Sequence, residues 1–240
     1  MTRIELDDGV MTTLHILRIP PQTLTPRVVV MPRPQRLRAW CAESGTANAV
    51  IGGFFVRPEG TPLGEVRVRG RRQPSRAFEA PWDRIRSCVH IEDGVVRIAR
   101  RPDFPADPGG DLLQAGPLLV RGGEIAMDGE DSEGFSAASH QFDSDITAGR
   151  YPRAALGVTV EGDLLAVVSE GRSDSEAGLA LGELAGALVG LRAVDAINLD
   201  GGGSASLVFD GRLINRPRED HGVELAGGRP LSTALVFDPV

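Results

Sequence analysis

Three consecutive glycines, Gly201-Gly202-Gly203, sit between two short apolar runs and constrain the fold of this chain more than any other stretch. Residues 194–199 read as a buried strand and residues 204–209 as another, with the glycines forming the bend between them. Glycine lacks a Cβ and tolerates positive φ, so a ligand can come right up to the backbone there. The N–H groups of such a run can converge into an anion-binding concavity. Asp200 stands at the strand end beside it. A carboxylate next to an anion cradle suits a substrate carrying both a phosphate and an electron-poor centre.

The sequence leading to this bend is tightly patterned. Residues 154–160 alternate as a strand, Glu161-Gly162-Asp163 is a turn, and residues 164–169 return as its partner. Residues 179–194 carry leucines at 181, 184, 188 and 191, a helical spacing, with Ser173–Ser175 offering caps before it. After the glycine bend, Asp210-Gly211 turns into residues 213–215, and residues 231–237 close the chain as a strand. The first half is looser, with strand-like runs at 13–19, 27–31 and 94–99 and a hairpin about Arg121-Gly122-Gly123. Arginine- and proline-bearing connectors occupy 67–81 and 100–110. Residues 128–149, rich in acids, serines and small residues, read as a mobile loop or exposed linker. The whole predicts an α+β fold: a mixed, largely antiparallel sheet with packed helices, in one compact domain over 1–240.

Charge and composition narrow the function. With 240 residues, 41% of them hydrophobic, the chain can bury a sizeable core. A net charge of −7 argues against general nucleic-acid binding. Residues 1–101 nevertheless hold 17 of the 26 basic and 10 of the 33 acidic residues, leaving that part at +7 and the rest at −14. Every basic residue is arginine, which removes Schiff-base, pyridoxal-phosphate and P-loop lysine chemistry. Cys41 and Cys88 are too few for a disulfide framework and read as reduced thiols. The N-terminal residues lack an apolar signal core and no run reaches membrane-spanning length, so a cytoplasmic protein is expected, with neither nucleic acid nor membrane as partner.

Several side chains could serve an anionic sugar. Arg153 before a strand, Arg172 between strand and helix, and Arg229 before the last strand could each clamp phosphate oxygens in bidentate fashion. Each could equally be a surface or carboxylate-paired arginine, and convergence of two on one site would decide. Glu183 lies in the first turns of the helix, where it either favours the helix dipole or works as a second carboxylate. Asn198 points away from Leu199 and either satisfies buried backbone or holds a substrate. His15, His90, His140 and His221 show no metal spacing, and no serine sits in a nucleophile elbow. No cofactor is expected; a divalent metal on Asp and Glu oxygens stays open.

Residues 196–204 (Ala-Ile-Asn-Leu-Asp-Gly-Gly-Gly-Ser), then Gly211, Asn215 and Pro217, then Arg229-Pro230-Leu231-Ser232, resemble the end of the phosphodiester glycosidase family. The helix with Gly178, Leu181, Glu183 and Leu184 lies at the family's distance ahead of the glycine loop. Arg153-Ala154-Ala155-Leu156-Gly157-Val158, Ala115-Gly116-Pro117 and Gly52-Gly53-Phe54-Phe55 resemble further family segments, so the match covers roughly 48–237. One position departs: Ile51 stands where members usually carry Asn.

The resemblance implies a hydrolase that cleaves the glycosidic bond of a sugar 1-phosphodiester, a small molecule or glycan. Its leaving group is a phosphate monoester, which needs little protonation. Stabilising an oxocarbenium-like centre, neutralising phosphate and delivering water remain. Asp200 suits the first or third task, with Glu183 as the leading second carboxylate. Arg153, Arg172, Asn198, Gly201, Gly202, Gly203, Ser204, Arg229 and Ser232 are the expected substrate-binding residues. The rival reading is a non-catalytic module that binds an anionic sugar or nucleotide through the same loop. A dinucleotide oxidoreductase fails, because the glycines join two strands and lack the required spacing.

Overall fold

The computed structural model describes residues 1–127, 132–135, 147 and 149–240, and in it the short apolar runs become strands. The chain opens with β1 (Thr2–Glu5), β2 (Met11–Ile19) and β3 (Leu24–Gln35), turns through α1 (Leu37–Ser44), and continues in β4 (Ala49–Ile51) and β5 (Phe55–Val56). Next come β6 (Thr61–Pro62), β7 (Val66–Val68), β8 (Arg71–Arg72), β9 (Ser87–Glu92), β10 (Val95–Arg100), β11 (Asp111–Gln114), β12 (Leu118–Arg121) and β13 (Glu124–Ile125). The second half supplies β14 (Ala154–Thr159), β15 (Leu164–Ser169), α2 (Leu181–Gly190), β16 (Ala193–Asn198), β17 (Leu207–Phe209), β18 (Arg212–Leu213) and β19 (Leu231–Pro239). The loop expected over 128–149 falls largely outside the described residues.

These strands form a seven-stranded sheet in the order β1-β2-β15-β14-β16-β12-β13. Two five-stranded sheets, β10-β9-β11-β7-β8 and β18-β17-β4-β19-β3, and a small β5-β6 ribbon complete the set. Strand alternation divides the core. In the β14–β15 hairpin, Leu156, Leu164, Ala166 and Val168 face the main apolar core, shared with Val50, Leu207 and Leu235 of the sheet around β4 and β19. Ala155, Leu165 and Val167 face the other way and meet Leu181, Leu184, Ala185 and Leu188 of α2. The helix therefore caps one face of the seven-stranded sheet, and its leucine spacing is what lays them in one stripe.

The structure corrects the expected fold class. Among the described residues only two α-helices occur, of eight and ten residues, and every laddered strand pair is antiparallel, so the protein is mainly β. In the first half, runs of two to six residues form a whole sheet through long-range pairing, and runs that short carry little periodicity. Helix α2 stops at Gly190 because the backbone turns left-handed at Arg192 (φ 70°) and enters β16; the helical reading to 194 overran into that strand. Ser173–Ser175 do not cap it: the flanking position is Ala180, whose N–H donates to Glu183 Oε2 at 2.8 Å. Cys41 and Cys88 are free and buried, and burial pushes the Cys41 thiol up to about 12.

Leu235 on β19 is 1% exposed at the centre of the main core. Leu235→Ala is expected to cost about 2–5 kcal/mol, read as a lower urea midpoint with an unchanged slope.

Candidate active site

Strand β16 delivers Asn198 and Asp200 to the end of the seven-stranded sheet, where main-chain hydrogen bonds fix the chain from several sides. Asn198 N–H donates to Pro117 O, Leu199 N–H to Ala154 O, Asp200 N–H to Gly52 O at 3.1 Å, and Gly202 N–H to Pro152 O at 2.8 Å. The Gly52-Gly53 turn and the segment before β14, far apart in sequence, thus flank the glycine loop. Gly201 and Gly203 are required for close approach: a Cβ on Gly201 would lie 2.8 Å from Pro152 O, and one on Gly203 would lie 2.7 Å from Glu219 Oε1. Gly202 adopts φ +59°, and its missing Cβ leaves room for Arg172 Nη1. The glycines serve packing more than anion binding, since the N–H groups of Gly201 and Gly202 are already spent on Asp200 Oδ1 and Pro152 O.

Asp200 is half-buried, and burial pushes its carboxyl from an ordinary 3.8 to about 6, against the opposing pull of the Ser204 hydroxyl, Arg229, the Gly201 N–H and Arg57. From it a polar chain runs through the loop. Ser204, fully buried, hydrogen-bonds Asp200 and accepts from Arg229 Nη1 at 3.3 Å. Arg229 Nε donates to Glu219 Oε1 at 2.9 Å, and Glu219 Oε2 lies 3.9 Å from Arg172 Nη1. Arg172 also pairs with Asp220 at 2.7 Å and lies 5.3 Å from the Tyr151 ring centre, with Arg153 5.1 Å from the same ring. Two of the three arginines singled out from sequence, Arg172 and Arg229, therefore converge on the glycine loop.

The other expected residues fall elsewhere in function. Arg153 is buried and donates to the carbonyls of Leu179 (2.9 Å) and Gly149 (3.1 Å). Glu183 accepts from Arg150 Nε at 2.9 and 3.0 Å and from the Ala180 N–H, and the Arg150 guanidinium holds its carboxyl below the usual range despite partial burial. Ser232 Oγ donates to Gly60 O, while its neighbour Thr233 holds the Gly52-Gly53 turn through Gly53 N–H at 3.0 Å. Asn198 satisfies buried backbone, the first of the two roles sequence left open. Its Nδ2 donates to Gly116 O at 3.0 Å, and its Oδ1 is buried with no partner. Ile51 is fully buried in the main core.

Glu219 and Tyr151 went unnoticed in the sequence, where each is one polar residue in an irregular stretch. The one signal for Glu219 was the third glycine, whose absent side chain makes room for its carboxylate. Among the described residues, no group of three or more His, Cys, Asp and Glu could hold a metal ion.

A half-buried carboxylate with raised pKa, set among arginines at the end of an antiparallel sheet, equips a protein to handle an anionic ligand. The chain belongs to the phosphodiester glycosidase family: the family model matches residues 44–238. It is 32% identical to mouse N-acetylglucosamine-1-phosphodiester alpha-N-acetylglucosaminidase over 185 residues, which are 74% of this chain and 34% of that protein. The chain thus spans about a third of the length of that relative. The fold matches the catalytic domain of the zebrafish protein of the same name with a TM-score of 0.76 at 21% identity, over 100% of this chain and 81% of that one. A Burkholderia pseudomallei protein matches with a TM-score of 0.65 at 16% identity, over 96% of this chain and 74% of that one. That protein is described as exported, which runs against the cytoplasmic location expected from the N-terminal composition of this chain.

Glu183→Gln is expected to lower stability by roughly 1 kcal/mol in urea unfolding, through the weakened cap and ion pair. Gly201→Ala, which meets the immovable Pro152 carbonyl, is expected to cost about 1–3 kcal/mol in denaturant unfolding.

Proposed function

We propose that this protein hydrolyses the glycosidic bond of a sugar 1-phosphodiester, with Asp200 as the reacting carboxylate. The observation that carries the reading is Asp200 itself, held at the glycine loop with a pKa near 6 and facing the charges of Arg229 and Arg57. Above that pH its anion stabilises the oxocarbenium-like centre or accepts a proton from the attacking water. The departing phosphate monoester leaves without strong protonation, and guanidinium groups neutralise its growing charge. Glu219, in this reading, holds Arg229 and Arg172 against the loop. The buried, unpartnered Oδ1 of Asn198 accepts a hydroxyl or amide N–H of the sugar. The mouse relative's name points to N-acetylglucosamine α-linked through its 1-phosphodiester as the first substrate to test.

The test is release of free sugar from an N-acetylglucosamine 1-phosphodiester. Asp200→Asn should lower kcat/KM on the order of 100-fold or more, as loss of about 2–4 kcal/mol of transition-state stabilisation requires. Equal activity in that variant would sink the assignment, and thermal stabilisation by the diester without release would make the protein a binding module. In the parent, activity should rise through a midpoint near pH 6 as Asp200 ionises.

The same carboxylate governs stability. Because its pKa is higher in the folded state, the native protein holds the proton more firmly, and stability falls as pH rises from about 4 through about 6. The full cost, up to ~3 kcal/mol, stands above pH 6. Asp200→Asn should therefore raise Tm at pH 7.5 and give no gain below about pH 4.

A further inference from the structure

A cavity of about 460 Å³ lies between the β7–β8 hairpin and the 3-10 turns Trp82–Arg84 and Arg101–Asp103, and none of its lining residues belongs to the Asp200 group. Four arginines line it, Arg67, Arg72, Arg84 and Arg101, against two carboxylates, Glu65 and Asp83. The arginines divide into two kinds. Arg67 and Arg101 are fixed walls: they share Glu65, with Nε atoms 2.6 and 2.8 Å from its two oxygens, and Arg101 also donates to the carbonyls of Pro105 and Ala106. Arg72 makes no side-chain hydrogen bond or ion pair among the described residues, and Arg84 approaches only Asp83, at 3.9 Å.

Arg67 and Arg72 are also direct cross-strand partners in the hairpin, so two like charges face each other. Such a pair is destabilising unless an anion is present. Glu65 and Asp107 neutralise Arg67 but leave Arg72 bare. The surplus positive charge thus stands on exposed side chains at the rim of the cavity, where an anion entering from solvent meets it first. Guanidinium pairs match phosphate oxygens, and a phosphomonoester carries close to two charges at neutral pH where a diester carries one. Asp83 contributes a buried Oδ1 without a partner, an acceptor for a hydroxyl, and Pro102 and Phe104 supply apolar wall.

We infer that this cavity binds a sugar phosphomonoester, through Arg72 and Arg84, at a site separate from Asp200 and independent of the reaction proposed there. The experiment is isothermal titration of the full chain at low salt with glucose 6-phosphate, inorganic phosphate and glucose. Glucose 6-phosphate should bind saturably, several-fold more tightly than inorganic phosphate, while glucose gives no signal. Arg72→Ala/Arg84→Ala should weaken that binding about tenfold or more. Both side chains are exposed, so the variant should keep the parent Tm. Asp200→Asn should leave the affinity within twofold, which separates this site from the catalytic reading. Absence of saturable binding, binding indifferent to the double variant, or inorganic phosphate binding as tightly as the sugar phosphate would each overturn the inference.

Discussion

The end of β16 is where the structure is most constrained. Within five residues, Asn198 to Gly202, the main chain donates to Pro117, Ala154, Gly52 and Pro152, which belong to three separate parts of the sequence. No regular strand partner could supply all four acceptors, so the chain must pass through a gap only glycine can fill. The Gly52-Gly53 turn, the start of β14 and the glycine loop are held in one place by this bonding. The carboxylate of Asp200 inherits its position from it.

Electrostatics builds outward from that point. A carboxylate withdrawn from water becomes easier to protonate, and the Ser204 hydroxyl and nearby arginines moderate the effect without cancelling it. Glu219 then lies between Arg229 and Arg172, so the positive charges near the loop are tethered. Arginine suits this arrangement better than lysine, because its rigid fork can bind a carboxylate with one edge and still present another. In a chain without lysine, Arg172, Arg229 and Arg57 near the loop are all such forks.

The sequence disclosed its local features and concealed its distant ones. The β14–β15 hairpin, the β12–β13 turn and the glycine bend were legible because each carries its own pattern of alternation and turn residues. Helix α2 showed its leucine stripe, but its end did not, since the left-handed turn at Arg192 has no compositional mark. The sheet around β9 and β11 was hidden because its strands are short and find partners far along the chain. At the candidate site, the placement of Asp200, Arg172 and Arg229 around the glycine loop was readable from the flanking residues. Arg153 and Glu183 looked alike to those groups in sequence, yet their charges are taken up by carbonyls and by Arg150. Partner choice is a three-dimensional property, and residue type alone does not contain it.

Main-chain placement of the Asp200 carboxylate has a consequence for divergence. The acceptors that position Asp200 are carbonyl oxygens, which every amino acid possesses, so most neighbouring side chains can drift without disturbing it. Only the glycines, where a methyl group would collide with backbone or with Glu219, are held to one identity. A scaffold of this kind can lose four-fifths of its residue identities and keep its shape, as the zebrafish match at 21% identity and a TM-score of 0.76 illustrates. The pockets around it are then free to be refitted to new ligands while Asp200 stays where it was.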